Sequence, residues 1–184
     1  ESLTIFAVDA SGSSALSRLA EAKGAVEMML AQAYVKRSQV ALIAFRQNGA
    51  EILLPPTRSL TRARRALAAL PGGGGTPLAA GLQAAQHMAE AAVRVGQTPT
   101  IAILTDGKAN VLTDGTANRE QAMSEAQQAA KSLAQTGIQC IVIDISPRPR
   151  AEAADLAGAL NGRYLPLPQA QSAAMVAAIE SLGG

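Results

Sequence analysis

The chain has 184 residues, of which 48% are hydrophobic and only 2% aromatic, with no Trp and a formal net charge of +2. It is long enough to bury roughly 70% of the surface its unfolded form exposes, and that core has to be built from Ala, Leu, Ile and Val. So small a charge excess, with no aromatic side chains among the basic ones, excludes a general nucleic-acid binder, and a single Cys excludes an internal disulfide and fits a reducing, cytoplasmic compartment.

Leu3 to Val8 is an apolar run that reads as a buried strand, and Asp9-Ala10-Ser11-Gly12-Ser13 follows its end. A helix is expected over Leu16 to Lys36, where Leu19, Ala22, Val26, Met29, Leu30 and Ala33 form one apolar stripe. Gln39 to Phe45 is a second strand. Turn residues 46–49 lead into a third, Ala50 to Leu54, hairpin-paired with the second and stopped by Pro55-Pro56. Ser59 to Leu70 is a short helix bearing Arg62, Arg64 and Arg65, with Arg58 just before it. This is either a solvated face or a docking patch for an acidic partner surface.

The segment Pro71-Gly72-Gly73-Gly74-Gly75-Thr76-Pro77 lacks the Lys-Ser or Lys-Thr pair of a nucleotide phosphate loop, so its glycines point to close backbone approach. Pro77 suits a first helical turn, which makes Thr76 either the N-cap of the helix Leu78 to Val95 or a hydroxyl ligand. His87, the only histidine, reads as an ordinary position of that helix. Thr98 to Thr105 is a fourth strand ending in Asp106-Gly107, and a polar loop leads to an Ala-rich helix, Arg119 to Gln135. Ile138 to Asp144 is a fifth strand; Cys140 within it reads as a small buried hydrophobe, and Asp144 as a strand-end turn or an outer member of a site. A helix over Ala151 to Leu160, a strand over Arg163 to Leu165 and a last helix over Ser172 to Leu182 complete the pattern. No apolar run reaches the ~18 residues of a membrane span, and no signal peptide is visible. An opening Glu1 that enters a strand almost at once suggests a piece cut from a longer protein.

Alternating strands and helices call for a doubly wound α/β fold: a mainly parallel six-stranded sheet covered on both faces. In the order 3-2-1-4-5-6 the first and fourth strands meet at the switch point, where ligands bind at the carboxyl ends of strands. That topology brings Asp9 and Asp106 together and lets the loop carrying Thr76 reach the same crevice. Two carboxylates and the hydroxyls of Ser11, Ser13 and Thr76 offer hard oxygen donors suited to a small divalent cation such as Mg²⁺.

Asp-x-Ser-x-Ser at 9, 11 and 13, then Thr76, then Asp106 in Leu-Thr-Asp-Gly, resembles the metal-ion-dependent adhesion site of von Willebrand factor A (integrin I-like) domains. The likeness covers essentially the whole chain. Residues 22–30, 54–60 and 70–78 further resemble the carboxy-terminal domain of magnesium chelatase D subunits, the bacteriochlorophyll type in particular. The resemblance implies that Ser11, Ser13 and Thr76 ligate Mg²⁺ or Mn²⁺, with Asp9 and Asp106 binding it directly or through water, and that a partner's acidic side chain completes the shell. It implies two partners, the AAA+ ATPase I subunit and the porphyrin-binding H subunit, with ATP entering only through the former. A domain of this kind docks and does not itself catalyse. A cobalt chelatase counterpart, or another bacterial adhesion-type domain of an AAA+ partnered complex, is the alternative within binding modules. Enzyme alternatives on the same rim fare worse. An aspartyl phosphatase wants a second carboxylate where Ser11 stands, a serine hydrolase wants a Gly-x-Ser-x-Gly elbow, and a dinucleotide site wants Gly-x-Gly-x-x-Gly after the first strand.

Overall fold

The computed structural model describes residues 1–12 and 15–167, and for residues 15–19 and 21 the backbone alone. Ser13 and the expected helix Ser172 to Leu182 therefore lie outside the described residues. The elements follow in the order β1 (Ser2–Asp9), α1 (Ala15–Val35), β2 (Gln39–Arg46), β3 (Gly49–Thr57), α2 (Leu60–Ala68), α3 (Leu78–Arg94), β4 (Thr98–Thr105), α4 (Arg119–Gln135), β5 (Gln139–Asp144), α5 (Ala151–Ala159) and β6 (Arg163–Pro166). They build one six-stranded sheet of order β3-β2-β1-β4-β5-β6. Only the β2–β3 pair is antiparallel.

Alternation along the strands divides the core in two. Leu3, Ile5 and Ala7 of β1 face α3, α4 and α5, joined by Ile43, Phe45, Ile101, Ile103 and Val142. Phe6 and Val8 face the other way, toward α1 and α2, with Leu42, Leu104, Ile141 and Ile143. The central strands are apolar on both faces because both faces are covered, and each fully buried Leu or Ile contributes about 1.5–3 kcal/mol. Helix α3 lies so close to the sheet that a Cβ on Gly81 would sit 2.5 Å from the Phe45 ring. Cys140 is buried in β5, which pushes its thiol up to about 12 and leaves it inert.

Pro55-Pro56 does not stop β3, which continues to Thr57. The strand lies at the sheet edge, where a residue without an N–H costs little. The register against β2 also shifts between Val40 and Leu42, so the two exposed prolines fall in an irregular stretch.

Candidate metal centre

β1 is central, and its last residue emerges at the switch point between β2 and β4. Asp9 is only 5% exposed there. Its Oδ1 accepts from the Ser11 backbone N–H at 3.0 Å and from the Ser11 hydroxyl, and its Oδ2 accepts from the Thr105 hydroxyl of β4 at 3.2 Å. The Asp9 carboxylate thus folds its own loop back on itself, as Asp side chains do in turns, while the neighbouring strand holds its far oxygen.

The glycine-rich loop delivers Thr76. Gly73 N–H donates to the Ala10 carbonyl (2.8 Å), Gly12 N–H to the Gly74 carbonyl (3.0 Å), and Gln47 N–H at the β2–β3 hairpin tip to the Gly75 carbonyl (2.8 Å). Gly74 has φ +88° and a Cβ there would meet the Gln47 side chain at 2.5 Å; one on Gly75 would meet Val111 at 2.6 Å. Only glycine lets this strip of backbone lie between the hairpin tip and the Asn110–Val111 loop. Behind it, the Asn110 side-chain oxygen accepts from Thr76 N–H at 2.7 Å. The Thr76 hydroxyl comes to rest 2.6 Å from the Ser11 hydroxyl, across 65 residues of sequence. Thr76 does not cap α3. The cap position is Pro77, with no side-chain hydrogen bond, and the Thr76 side chain is committed to Ser11 instead.

Asp106 follows β4 on the same rim, half-buried, its Oδ1 accepting from Lys108 N–H at 2.9 Å. Asp9, Ser11, Thr76 and Asp106 line one cleft of about 180 Å³, shared with Lys108, Asn110, Arg119 and Ser146 among others. Burial pushes the Asp9 carboxyl up to about 6; the Ser11 hydrogen bonds oppose the rise, and the nearby Asp106 charge adds to it. Among the described residues no three His, Cys, Asp or Glu side chains gather as a metal-binding group. What the cleft does bring together is two carboxylates and two neutral hydroxyls, oxygen groups of the kind that suit a hard cation. A divalent ion there would also offset the repulsion between the two carboxylates.

Four of the five expected site residues thus come together, and the fifth, Ser13, lies outside the described residues. Arg58, Arg62, Arg64 and Arg65 do not line the cleft. Arg58 pairs with Glu1 and donates to the Arg37 carbonyl, and Arg64 lies 3.7 Å from Glu27. Arg62 and Arg65 are exposed and form no ion pair among the described residues. His87 is an exposed α3 position, as expected. Asp144 makes the strand-end turn. It is fully buried, accepting from Ser146 N–H and hydroxyl, from Arg150 N–H at 2.9 Å and from the Tyr164 hydroxyl at 2.6 Å. Thr105 and Asn110, which brace Asp9 and Thr76, were not singled out by the sequence. Thr105 could have been, since it ends β4 just before Asp106; Asn110 sits in a polar loop with nothing to mark it.

A family model for the von Willebrand factor type A domain matches residues 4–109, from β1 past Asp106. The chain belongs to this family. Its α/β sheet is shared with the solved SpRpn10 von Willebrand factor A domain at a TM-score of 0.69 and 17% identity, over 96% of this chain and 93% of that one. In sequence the domain is similar to the magnesium-chelatase 60 kDa subunit of Cereibacter sphaeroides, 55% identical over 91% of this chain and 30% of that protein. It is also similar to the magnesium-chelatase 67 kDa subunit of Chlorobaculum tepidum, 43% identical over 96% of this chain and 30% of the relative. The domain therefore spans about 30% of the length of these curated relatives.

Proposed function

We propose that this domain is the metal-dependent docking module of a magnesium chelatase D subunit, helping to assemble the ATP-dependent complex that inserts Mg²⁺ into protoporphyrin IX. The observation that carries the reading is the 2.6 Å meeting of the Ser11 and Thr76 hydroxyls beside the Asp9 and Asp106 carboxylates, in one cleft at the switch point of the sheet. Similarity to the 60 kDa and 67 kDa chelatase subunits supports the chelatase setting.

Asp9, Ser11, Thr76 and Asp106, with Ser13, would hold Mg²⁺ or Mn²⁺ in the manner of a metal-ion-dependent adhesion site. When bound, the ion supplies a Lewis-acid position for an external oxygen anion. The hydroxyl ligands matter because they are neutral: beside Asp9 and Asp106 they add no further negative charge, so a partner's carboxylate can take the remaining position without an excess of anions around the ion. Asn110 holds the Thr76 backbone and Thr105 holds Asp9, so the donors stand in place before the ion arrives. This ion is a docking device, separate from the Mg²⁺ that is the reaction's cargo. The I subunit brings the ATPase and the H subunit the porphyrin, and either can present the acid. Arg62 and Arg65 on α2 offer a second contact for an acidic surface, away from the cleft.

The test is binding of this domain to purified I and H subunits in Mg²⁺ and in EDTA, with wild type and Asp9→Ala. Binding that needs the metal and is lost in a folded Asp9→Ala is expected. Binding indifferent to both refutes the reading and moves the interface to the α2 arginines.

A further inference from the structure

We propose that Lys108 and Arg119 select the docking ligand, so that the cleft takes an acidic segment with two nearby carboxylates, one for the metal and one for these cations. This rests on the docking reading above and deepens it. Both residues line the same cleft as Asp9, Ser11, Thr76 and Asp106, and neither forms an ion pair among the described residues. Both are tied to the donor set through the backbone. Lys108 N–H donates to Asp106 Oδ1 at 2.9 Å. Arg119 follows Asn118, whose N–H donates to the Asn110 carbonyl at 3.1 Å, and the Asn110 side chain in turn holds Thr76 N–H.

The placement of Arg119 runs against its own helix. It is the first residue of α4, capped by the Asn118 side chain at Gln121 N–H, and a helix N-terminus favours anions over cations. Glu120 beside it supplies the acid that a helix N-terminus favours, so Arg119 adds nothing to the helix end, whereas an anionic ligand entering the cleft gives it a partner. Charge points the same way. A divalent ion cancels the two carboxylates that hold it, so a loaded cleft keeps the two side-chain cations uncompensated. A ligand with a single carboxylate answers only half of that charge. Asp144, behind Ser146, does not supply the rest, because its oxygens are already taken by Ser146, Arg150 and Tyr164.

The experiment titrates the ¹⁵N-labelled chain with two synthetic peptides, one carrying a single Glu and one carrying two Glu separated by a Gly. Each titration is run in millimolar Mg²⁺ and in EDTA. Wild type is expected to bind the two-Glu peptide about fivefold more tightly in Mg²⁺, the scale of partly solvated ion pairs. The Lys108→Gln/Arg119→Gln variant should lose that preference while keeping its affinity for the single-Glu peptide within about twofold. Removing a cation from the α4 N-terminus should leave the fold no less stable, so the variant remains measurable. Peptide binding equal in Mg²⁺ and EDTA, or none at all, refutes the metal-centred docking on which the proposal depends. Mg²⁺-dependent binding with no preference beyond the statistical factor of about two, or a preference the double substitution leaves intact, refutes the role of Lys108 and Arg119 alone.

Discussion

Replacing Asp9 with Asn should make the metal-free domain more stable at neutral pH, although it removes a central member of the site. Burial holds the folded Asp9 carboxyl at about 6 against an ordinary 3.8. Well below pH 3.8 both folded and unfolded chains keep the proton, and Asp9 adds no penalty. As the pH rises toward 6 the unfolded chain gives up its proton first, so the folded state loses stability through that window. A shift of about two units corresponds to about 3 kcal/mol at most. Asn avoids this and keeps the local bonds: its oxygen accepts from Ser11 N–H, and its amide can donate to the Thr105 hydroxyl. The assay is urea unfolding of wild type and Asp9→Asn in EDTA from pH 4 to 8. The difference should be smallest at pH 4, at most about 0.5 kcal/mol, and reach about 1–3 kcal/mol in favour of Asn above pH 7, or several degrees in Tm. Mg²⁺ should stabilise wild type alone, by about 1.4 kcal/mol at ten times its Kd. A variant less stable than wild type in EDTA at pH 7.5, or a difference that does not change with pH, would refute the reasoning.

Two further substitutions test the frame around the site. Gly107 has φ +84°, and a Cβ there would lie 2.3 Å from the Ala153 backbone nitrogen of α5; Gly107→Ala should cost about 3 kcal/mol or more in urea unfolding, and a loss under 1 kcal/mol would show that α5 moves away easily. Tyr164→Phe removes one donor from buried Asp144 and should cost about 1–2 kcal/mol by the same measurement, with any Mg²⁺ response unchanged because Tyr164 does not line the cleft of Asp9, Ser11, Thr76 and Asp106.

The sheet order was legible because each strand is a compact apolar run and the alternation of strands with helices admits few topologies. The adjacency of Asp9 and Asp106 came with that order. Thr76 was legible only as an alternative, since Thr-Pro before a helix is also how a cap is written. What decides against the cap is the backbone pairing of residues 73 and 74 with the Asp9 loop, a contact between segments far apart in sequence. Asn110 was illegible for the same reason. Pro55-Pro56 misled because proline speaks to whether a ladder N–H is needed, and an edge strand with an irregular register does not need it.

The chain makes the Asp-x-Ser turn twice, at Asp9–Ser11 and at Asp144–Ser146, on strands separated only by β4. The local hydrogen bonds are the same in both. At Asp144 the neighbours Arg150 and Tyr164 fill the remaining oxygen from within the chain, and the turn becomes a fastening between β5, α5 and β6. At Asp9 the neighbour across the gap is another hydroxyl on a rim open to solvent. One local pattern is thereby sealed in one place and left receptive in the other. Both far oxygens take a hydroxyl from an adjoining strand, Thr105 or Tyr164, so what separates the two outcomes is that Asp144 also takes the Arg150 N–H, while Ser11 meets the hydroxyl of Thr76 from a distant loop.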